Sequence, residues 1–284
     1  MRISEITRET LDVTLLRKKP GHKYEHGHAL VLSGGPGKTG AARMAARGAL
    51  RIGAGAVTIG VPPAAQLEVA MQVTAIMLQR ISDGAALIEA LKDSRINALC
   101  LGPGLGLGAR AAELVKSALS APKVVLDADA LSLLAQDSDL RAGLHRGCIL
   151  TPHMGEFARL APDLADAAEG EGQDAKAQAT QAAAARFGCV VLLKGPETII
   201  ATPEGEIRRH RATEGRATPW LATAGAGDVL AGFITGLIAR GVAPVEAASL
   251  ATWLHAEAAL THGPGLIAED LPDLLPQVLR QLNV

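Results

Sequence analysis

INALCLGPGLGLGARAAELVKSALSAPKVVLDAD, residues 96–129, passes from an apolar run through a glycine-rich turn into an Ala-rich stretch and back to an apolar run. The two apolar ends have the length of strands, and the stretch between them repeats apolar residues at helical spacing. Strand, helix, strand is the βαβ unit of a parallel sheet, because parallel neighbours need a long crossover between them. The same alternation recurs on both sides. HALVLS (28–33) precedes AARMAARGALRIG and then AVTIGVP (56–62), while GCILTPH (147–153) precedes GEFARLA, and a helix near 173–187 leads to CVVLLKG (189–195). Helices near 226–240, 244–261 and 269–282 finish the chain. One segment departs from the pattern: TIIATPEGEIRRH (198–210) reads as two short strands about a turn at Pro203–Gly205, a hairpin for one edge of the sheet. The expectation is an α/β chain with a mostly parallel central sheet, helices on both faces and a small edge hairpin. No linker or internal repeat divides it, so residues 1–284 read as one domain.

Composition narrows the function classes. A formal net charge of −1 gives no broad field toward nucleic acid or anionic lipid, and neither partner is expected. The opening MRISEITRETLD is too polar for a signal peptide. No apolar run approaches the ~18 residues of a membrane span. Cys100, Cys148 and Cys189 follow no disulfide or metal spacing and read as buried thiols of a reducing compartment, so the protein is expected in the cytoplasm. His22, His26 and His28 cluster without the second half of a metal site.

Open parallel sheets bind ligands beyond the C-terminal ends of their strands. Five segments fall there: Ser33–Thr39, Gly102–Gly108, Asp127–Asp129, Thr151–Glu156 and Lys194–Thr198. All are polar or glycine-rich, which points to one shared cleft. SGGPGKTGA (33–41) nearly spells the nucleotide phosphate loop but has Leu32 where that loop needs glycine; it reads better as backbone lying close to a bulky ligand. GLGLGA (104–109) fits the dinucleotide fingerprint, with Asp127 ending the next strand. A nicotinamide-dependent oxidoreductase is therefore an alternative, though it leaves later motifs unused. In LDADAL (126–131), one of Asp127 and Asp129 is suited to cap the following helix and the other to hold a Mg²⁺-bound water or a substrate hydroxyl. In TPHMGE (151–156), Thr151 or His153 is a candidate cap, and His153 is also a candidate ligand donor. Lys194 of KGPET (194–198) is a solvated cation on its own and a phosphate contact beside an anion site.

TAGAGDVLAG (223–232) rings one acid, Asp228, with residues too small to cover it, just ahead of an apolar helix. Glycine lets backbone N–H groups approach something bulky, and a helix N-terminus favours anions. Asp228 is thus either a helix cap or a base beside a bound phosphate.

Taken together, SGGPGKTGAA (33–42), GAGAVTIGVP (53–62), LGPGLG (101–106), VVLDADAL (124–131), LTPHMGE (150–156), LLKGPETIIA (192–201) and ATAGAGDVLAG (222–232) resemble the nucleotide-dependent NAD(P)H-hydrate dehydratases, on the ribokinase-like fold. The resemblance spans roughly residues 20–275. LTPHMGE and the pairing of KGPET with GAGD are its specific parts, since GAGD alone is shared with sugar and vitamin kinases. It implies a metabolite-repair reaction on the S epimer of hydrated NADH or NADPH (NADHX, NADPHX): the hydroxyl is phosphorylated and phosphate then eliminated, restoring the cofactor. ADP, converted to AMP and phosphate, is the expected co-substrate, with ATP as the alternative and Mg²⁺ shielding the phosphates. By the same resemblance Ala41, Gly104 and His153 line the hydrate pocket, Lys194, Gly195, Pro196, Glu197, Thr198 and Gly227 hold the nucleotide, and Asp228 takes the hydroxyl proton. The N–H groups of Ala224, Gly225, Ala226 and Gly227 then serve as an anion hole for the transferring charge. The family suggests a homotetramer and a functional link to an NAD(P)H-hydrate epimerase.

Two departures stand out. Thr218 precedes Pro219 where many relatives have Asn, and the chain starts too near the dehydratase motifs to include the epimerase domain that many members carry; a separate protein then does that job, or the sequence is part of a longer chain. The nearest rival is a vitamin or sugar-alcohol kinase of the same fold, whose phosphorylated product would be stable. A non-catalytic nucleotide sensor is the rival from another class, and an intact Asp228 speaks against it.

Overall fold

The computed structural model describes residues 2–170, 172 and 174–284. The quoted βαβ unit is there as β5 (Ile96–Leu101), helix Ala109–Ala118 and β6 (Val124–Leu126). In chain order the strands are β1 (Ile3–Glu5), β2 (His28–Leu32), β3 (Ala56–Val61), β4 (Met77–Arg80), β5, β6, β7 (Cys148–Leu150), β8 (Val190–Leu193), β9 (Glu197–Ala201) and β10 (Ile207–Arg211). They form one sheet in the order β1-β10-β9-β8-β7-β6-β5-β2-β3-β4. Every pairing from β4 to β8 is parallel, and β9 is antiparallel to both its neighbours. The expected hairpin is there as β9–β10, but it does not form the edge of the sheet, because β1 pairs parallel outside it.

Side chains alternate across each strand, and here both faces are buried. Ala29 and Val31 of β2 join a core with helices α1 (Gly40–Arg51) and the C-terminal helices Ala226–Ala239, Pro244–His262 and Asp270–Gln281. Leu30 and Leu32 enter a second core on the opposite face, under the helices between residues 84 and 187. The strands therefore read as continuous apolar runs rather than alternating ones. α1 lies against helix Ala226–Ala239, with Gly232 at the contact; a Cβ there would collide with the Ala45 carbonyl. The close seat aims the start of the second helix at the strand ends. No helix of the described residues is long and apolar enough to cross a membrane.

The three thiols lie on the central strands or just before one, all fully buried. Burial pushes Cys100 up to about 12 and Cys148 up to about 11, and raises Cys189 well above the ordinary thiol value.

Candidate active site

Three adjacent strands end together, and each delivers one polar residue immediately past its end. Asp127 follows β6, Thr151 follows β7 and Lys194 follows β8. The buried Asp127 carboxylate accepts from Lys194 Nζ and from Thr151 Oγ1, each at 2.8 Å through Oδ1. Glu156 Oε2 lies 3.8 Å from the same ammonium. Burial alone would lower the Lys194 pKa, but Asp127, Glu156 and Asp228 outweigh it and leave it raised. The result is a fixed cation ringed by carboxylates.

Asp228 faces this pair from the first turn of helix Ala226–Ala239. Gly225 is the N-cap, at a φ of 90° that favours glycine, and a Cβ there would collide with Met44. Asp228 is not the cap: its carboxylate makes no hydrogen bond among the described residues. Burial first, and then the neighbouring Asp127, push its pKa to about 7, with Lys194 pulling the other way. The N–H groups of Ala224, Gly225, Gly227 and Asp228 likewise find no acceptor among the described residues. Ala226 differs from its expected role, since its N–H is directed at the Thr223 carbonyl, 3.4 Å away. A free carboxylate poised near neutrality thus stands beside a set of unused donors, the pairing that base-assisted transfer of an anionic group requires.

His153 caps a helix and also reaches the cleft. It is the N-cap of helix Met154–Leu160: its Nδ1 accepts from the N–H groups of Gly155 (3.0 Å) and Glu156 (3.3 Å), and Glu156 accepts from the His153 N–H in return. With Nδ1 committed as acceptor, Nε2 is the nitrogen left to donate; it lies 3.6 Å from Glu156 Oε1, and the residue lines the cavity. Asp129 accepts from the Gly106 N–H at 2.7 Å, tying the glycine turn of β5 to the segment after β6. Neither Asp127 nor Asp129 caps the following helix, whose N-cap is Ala128. Ala128 lines the cavity at a φ of 47° and ψ of −117°, a strained backbone for a residue with a Cβ.

One cavity of about 900 Å³ joins these groups. Gly195, Pro196, Thr198, Gly227 and Thr218 line it, but Glu197 does not. The Glu197 carboxylate instead accepts from Arg211 at 3.3 Å, because alternation along β9 turns it away from Thr198. Ala41 and Gly104 neighbour one another and do not line this cavity; the Lys38 carbonyl also approaches Gly104. In the SGGPGKTG turn Glu68 takes the Gly37 N–H at 2.8 Å and the Thr39 hydroxyl at 2.5 Å, so these two donors are already used. His22 caps a short helix and His28 bonds Thr58, so their clustering is structural. Among the described residues no group of three or more His, Cys, Asp or Glu is arranged for a metal ion.

A family model described as NAD(P)H-hydrate dehydratase matches residues 29–277. The chain belongs to the NAD(P)H-hydrate dehydratase family. It is 39% identical over 254 residues to the ADP-dependent (S)-NAD(P)H-hydrate dehydratase of Neisseria meningitidis, covering 86% of this chain and 79% of that protein. It is also 39% identical over 282 residues to a bifunctional NAD(P)H-hydrate repair enzyme of Moorella thermoacetica, covering 94% of this chain and 52% of the relative. The chain thus spans about half the length of such bifunctional relatives. An ADP/ATP-dependent NAD(P)H-hydrate dehydratase from Bacillus subtilis, co-crystallized with ATP/Mg²⁺, superposes with a TM-score of 0.81 at 29% identity, covering 99% of each chain. A ribokinase-like superfamily protein of Enterococcus faecalis shares the fold at a TM-score of 0.79 and 20% identity, over 98% of this chain and 96% of that one.

In this member of the dehydratase family, three residues that sequence reading passed over shape the cavity. Lys176, from helix Ala175–Phe187, donates to the carbonyls of Lys194 (3.3 Å) and Glu197 and so props the KGPET turn. His255, in the middle of helix Pro244–His262, donates from Nε2 to the Ala226 carbonyl at 2.9 Å and holds the first turn of the GAGD helix. His210 lies on β10, paired across from Thr198. A polar residue inside an apolar helical run, as in WLHAE, is the one signal that marked any of them.

Proposed function

We propose that the chain dehydrates the S epimer of hydrated NADH or NADPH at the expense of ADP, yielding NAD(P)H, AMP and phosphate. The observation that carries this reading is Asp228, an unbonded carboxylate poised near neutral pH beside unused backbone donors and opposite the Lys194–Asp127 pair. Asp228 takes the proton of the substrate hydroxyl as its oxygen attacks the terminal phosphorus of ADP, and AMP departs with the broken P–O electron pair. The free N–H groups at residues 224, 225, 227 and 228 receive the charge on the transferring phosphoryl group, and Lys194 neutralises the phosphates. Phosphate then leaves with the C–O pair, the adjacent carbon gives its proton to the departing phosphate, and the ring double bond returns. His153 Nε2–H is the donor available to the hydrate, with Ala41 and Gly104 as its other contacts.

Magnesium fits the donor set in a minor role. Mg²⁺ at nucleotide sites is held largely by phosphates and water with one or two carboxylates. Glu156 is the cleft carboxylate suited to it through Oε1, since its Oε2 takes the His153 N–H and Asp127 is already committed to Lys194 and Thr151. The bifunctional relatives support a functional link to an epimerase of the same hydrate. Three buried, unpaired thiols support a cytoplasmic setting.

The test mixes protein, Mg²⁺ and hydrated NADH with ADP or ATP and follows the return of reduced-nicotinamide absorbance. Recovery with release of AMP and phosphate is expected, faster with ADP than with ATP at equal concentration. A stable phosphorylated product without recovery would make the chain a kinase of this fold. Recovery that is faster with ATP would overturn the nucleotide assignment alone.

A further inference from the structure

The cavity crosses the sheet from the end of β6 to β10. At β6–β8 it holds Asp127, Glu156, Lys194 and Asp228; Ala212, Leu221, Ala222, Leu230 and Ala256 give it an apolar lining as well. Among the lining residues two threonines and two histidines are buried, and three of these four are already engaged. Thr252 Oγ1 donates to the Ala248 carbonyl (2.8 Å), Thr198 Oγ1 to that of Gly195 (3.0 Å), and His255 Nε2 to that of Ala226 (2.9 Å).

His210 is the exception. It is 4% exposed and lines the cavity, yet neither ring nitrogen has a hydrogen-bond partner among the described residues; Nε2 is sealed from solvent, which leaves Nδ1 as the nitrogen a ligand can reach. Other buried imidazole nitrogens lack partners, but those rings use their second nitrogen: His28 bonds Thr58 at 2.7 Å, and His145 accepts from the Gly147 N–H at 3.1 Å. A buried polar group left unpaired is costly, and in a cavity wall the compensating partner is a ligand. Burial holds the ring neutral, its pKa lowered to about 4, so Nδ1 meets the ligand as a donor in one tautomer and as an acceptor in the other. His210 sits two strands from Lys194, roughly 10 Å at ordinary strand spacing. That span matches the separation of phosphates from base in an extended nucleotide, and the apolar part of the lining suits a flat heterocycle.

Resting on the nucleotide reading above, we propose that His210 is the residue that recognises the base of the bound nucleotide, hydrogen-bonding the polar edge of the purine. The test measures dissociation constants for ADP and CDP by titration calorimetry in the native protein, His210→Phe and His210→Asn, with Tm recorded for each. His210→Phe keeps the ring volume and removes both nitrogens; it should weaken ADP by about tenfold, with CDP much less affected, so that base discrimination collapses. His210→Asn, which restores a donor and an acceptor, should recover most of the preference. Equal ADP affinity in native and Phe proteins overturns the proposal, and so does an equal loss for ADP and CDP, which would mark His210 as a structural support. If the native protein binds no adenine nucleotide, the functional reading falls and this assignment with it. If it binds ADP but the Phe variant binds as well, only the assignment falls.

Discussion

Between pH 3.8 and about 7 the folded chain keeps a proton on Asp228 that the unfolded chain has already released. A carboxyl with a raised folded-state pKa favours the native state less as pH climbs through that window, and its cost is complete above it. The same ionisation creates the base. Asp228→Asn separates the two effects. The variant should lose ~10²–10⁴-fold in kcat, as removal of a general base does. At pH 8 it should also melt above the native protein, with the gap shrinking as pH falls through the window and closing near the lower limit. In the native enzyme kcat/KM should rise with pH through about 7 and then level off. Near-normal turnover in a folded variant, or a stability gap indifferent to pH, would sink the assignment. A helix cap would give neither result, since Asn caps about as well as Asp.

At the scale of elements, the cleft depends on a turn that holds itself poorly. KGPET presents two carbonyls inward, and Lys176 answers both from a neighbouring helix whose amine burial lowers in pKa. Lys176→Met should leave those carbonyls unpaired, destabilise the fold by ~1–3 kcal/mol, and raise KM for ADP several-fold with kcat largely retained. A fall in kcat at unchanged KM would mean that the lysine acts on the reaction itself. Lys176 also marks where sequence reading stops. The strand-end segments were legible because a parallel sheet fixes which residues emerge at one edge, and that is how Asp127, Thr151 and Lys194 came into view. Their pairing was not, since Lys194 choosing Asp127 over water depends on strand order. β1 and β4 escaped notice for another reason. Each is short and lies at an edge, with the half-exposed sequences ISE and MLQR, so neither carries the buried pattern that gives strands away. The side chain of Glu197 points away from the cavity because residues alternate along a strand, which a motif read as a block does not show.

For the molecule as a whole, the cavity draws on residues from Asp127 to Ala256, so a bound nucleotide ties together segments that are distant in the chain. The buried thiols turn this into something that can be timed. Cys100, Cys148 and Cys189 sit in the middle of the sheet, shut from solvent and held protonated by that burial. A thiol-modifying reagent attacks thiolate and needs access, so it must wait until the sheet parts. The protein therefore carries an internal clock for its own opening, with no label to add. Under native conditions modification should be slow and should involve all three sulfurs in one phase. ADP at a hundred times its dissociation constant should slow it about a hundredfold, because the opened chain no longer binds. A rate that ignores ADP would mean that the thiols are reached by local breathing of single strands, with the two halves of the cleft still closed on the nucleotide.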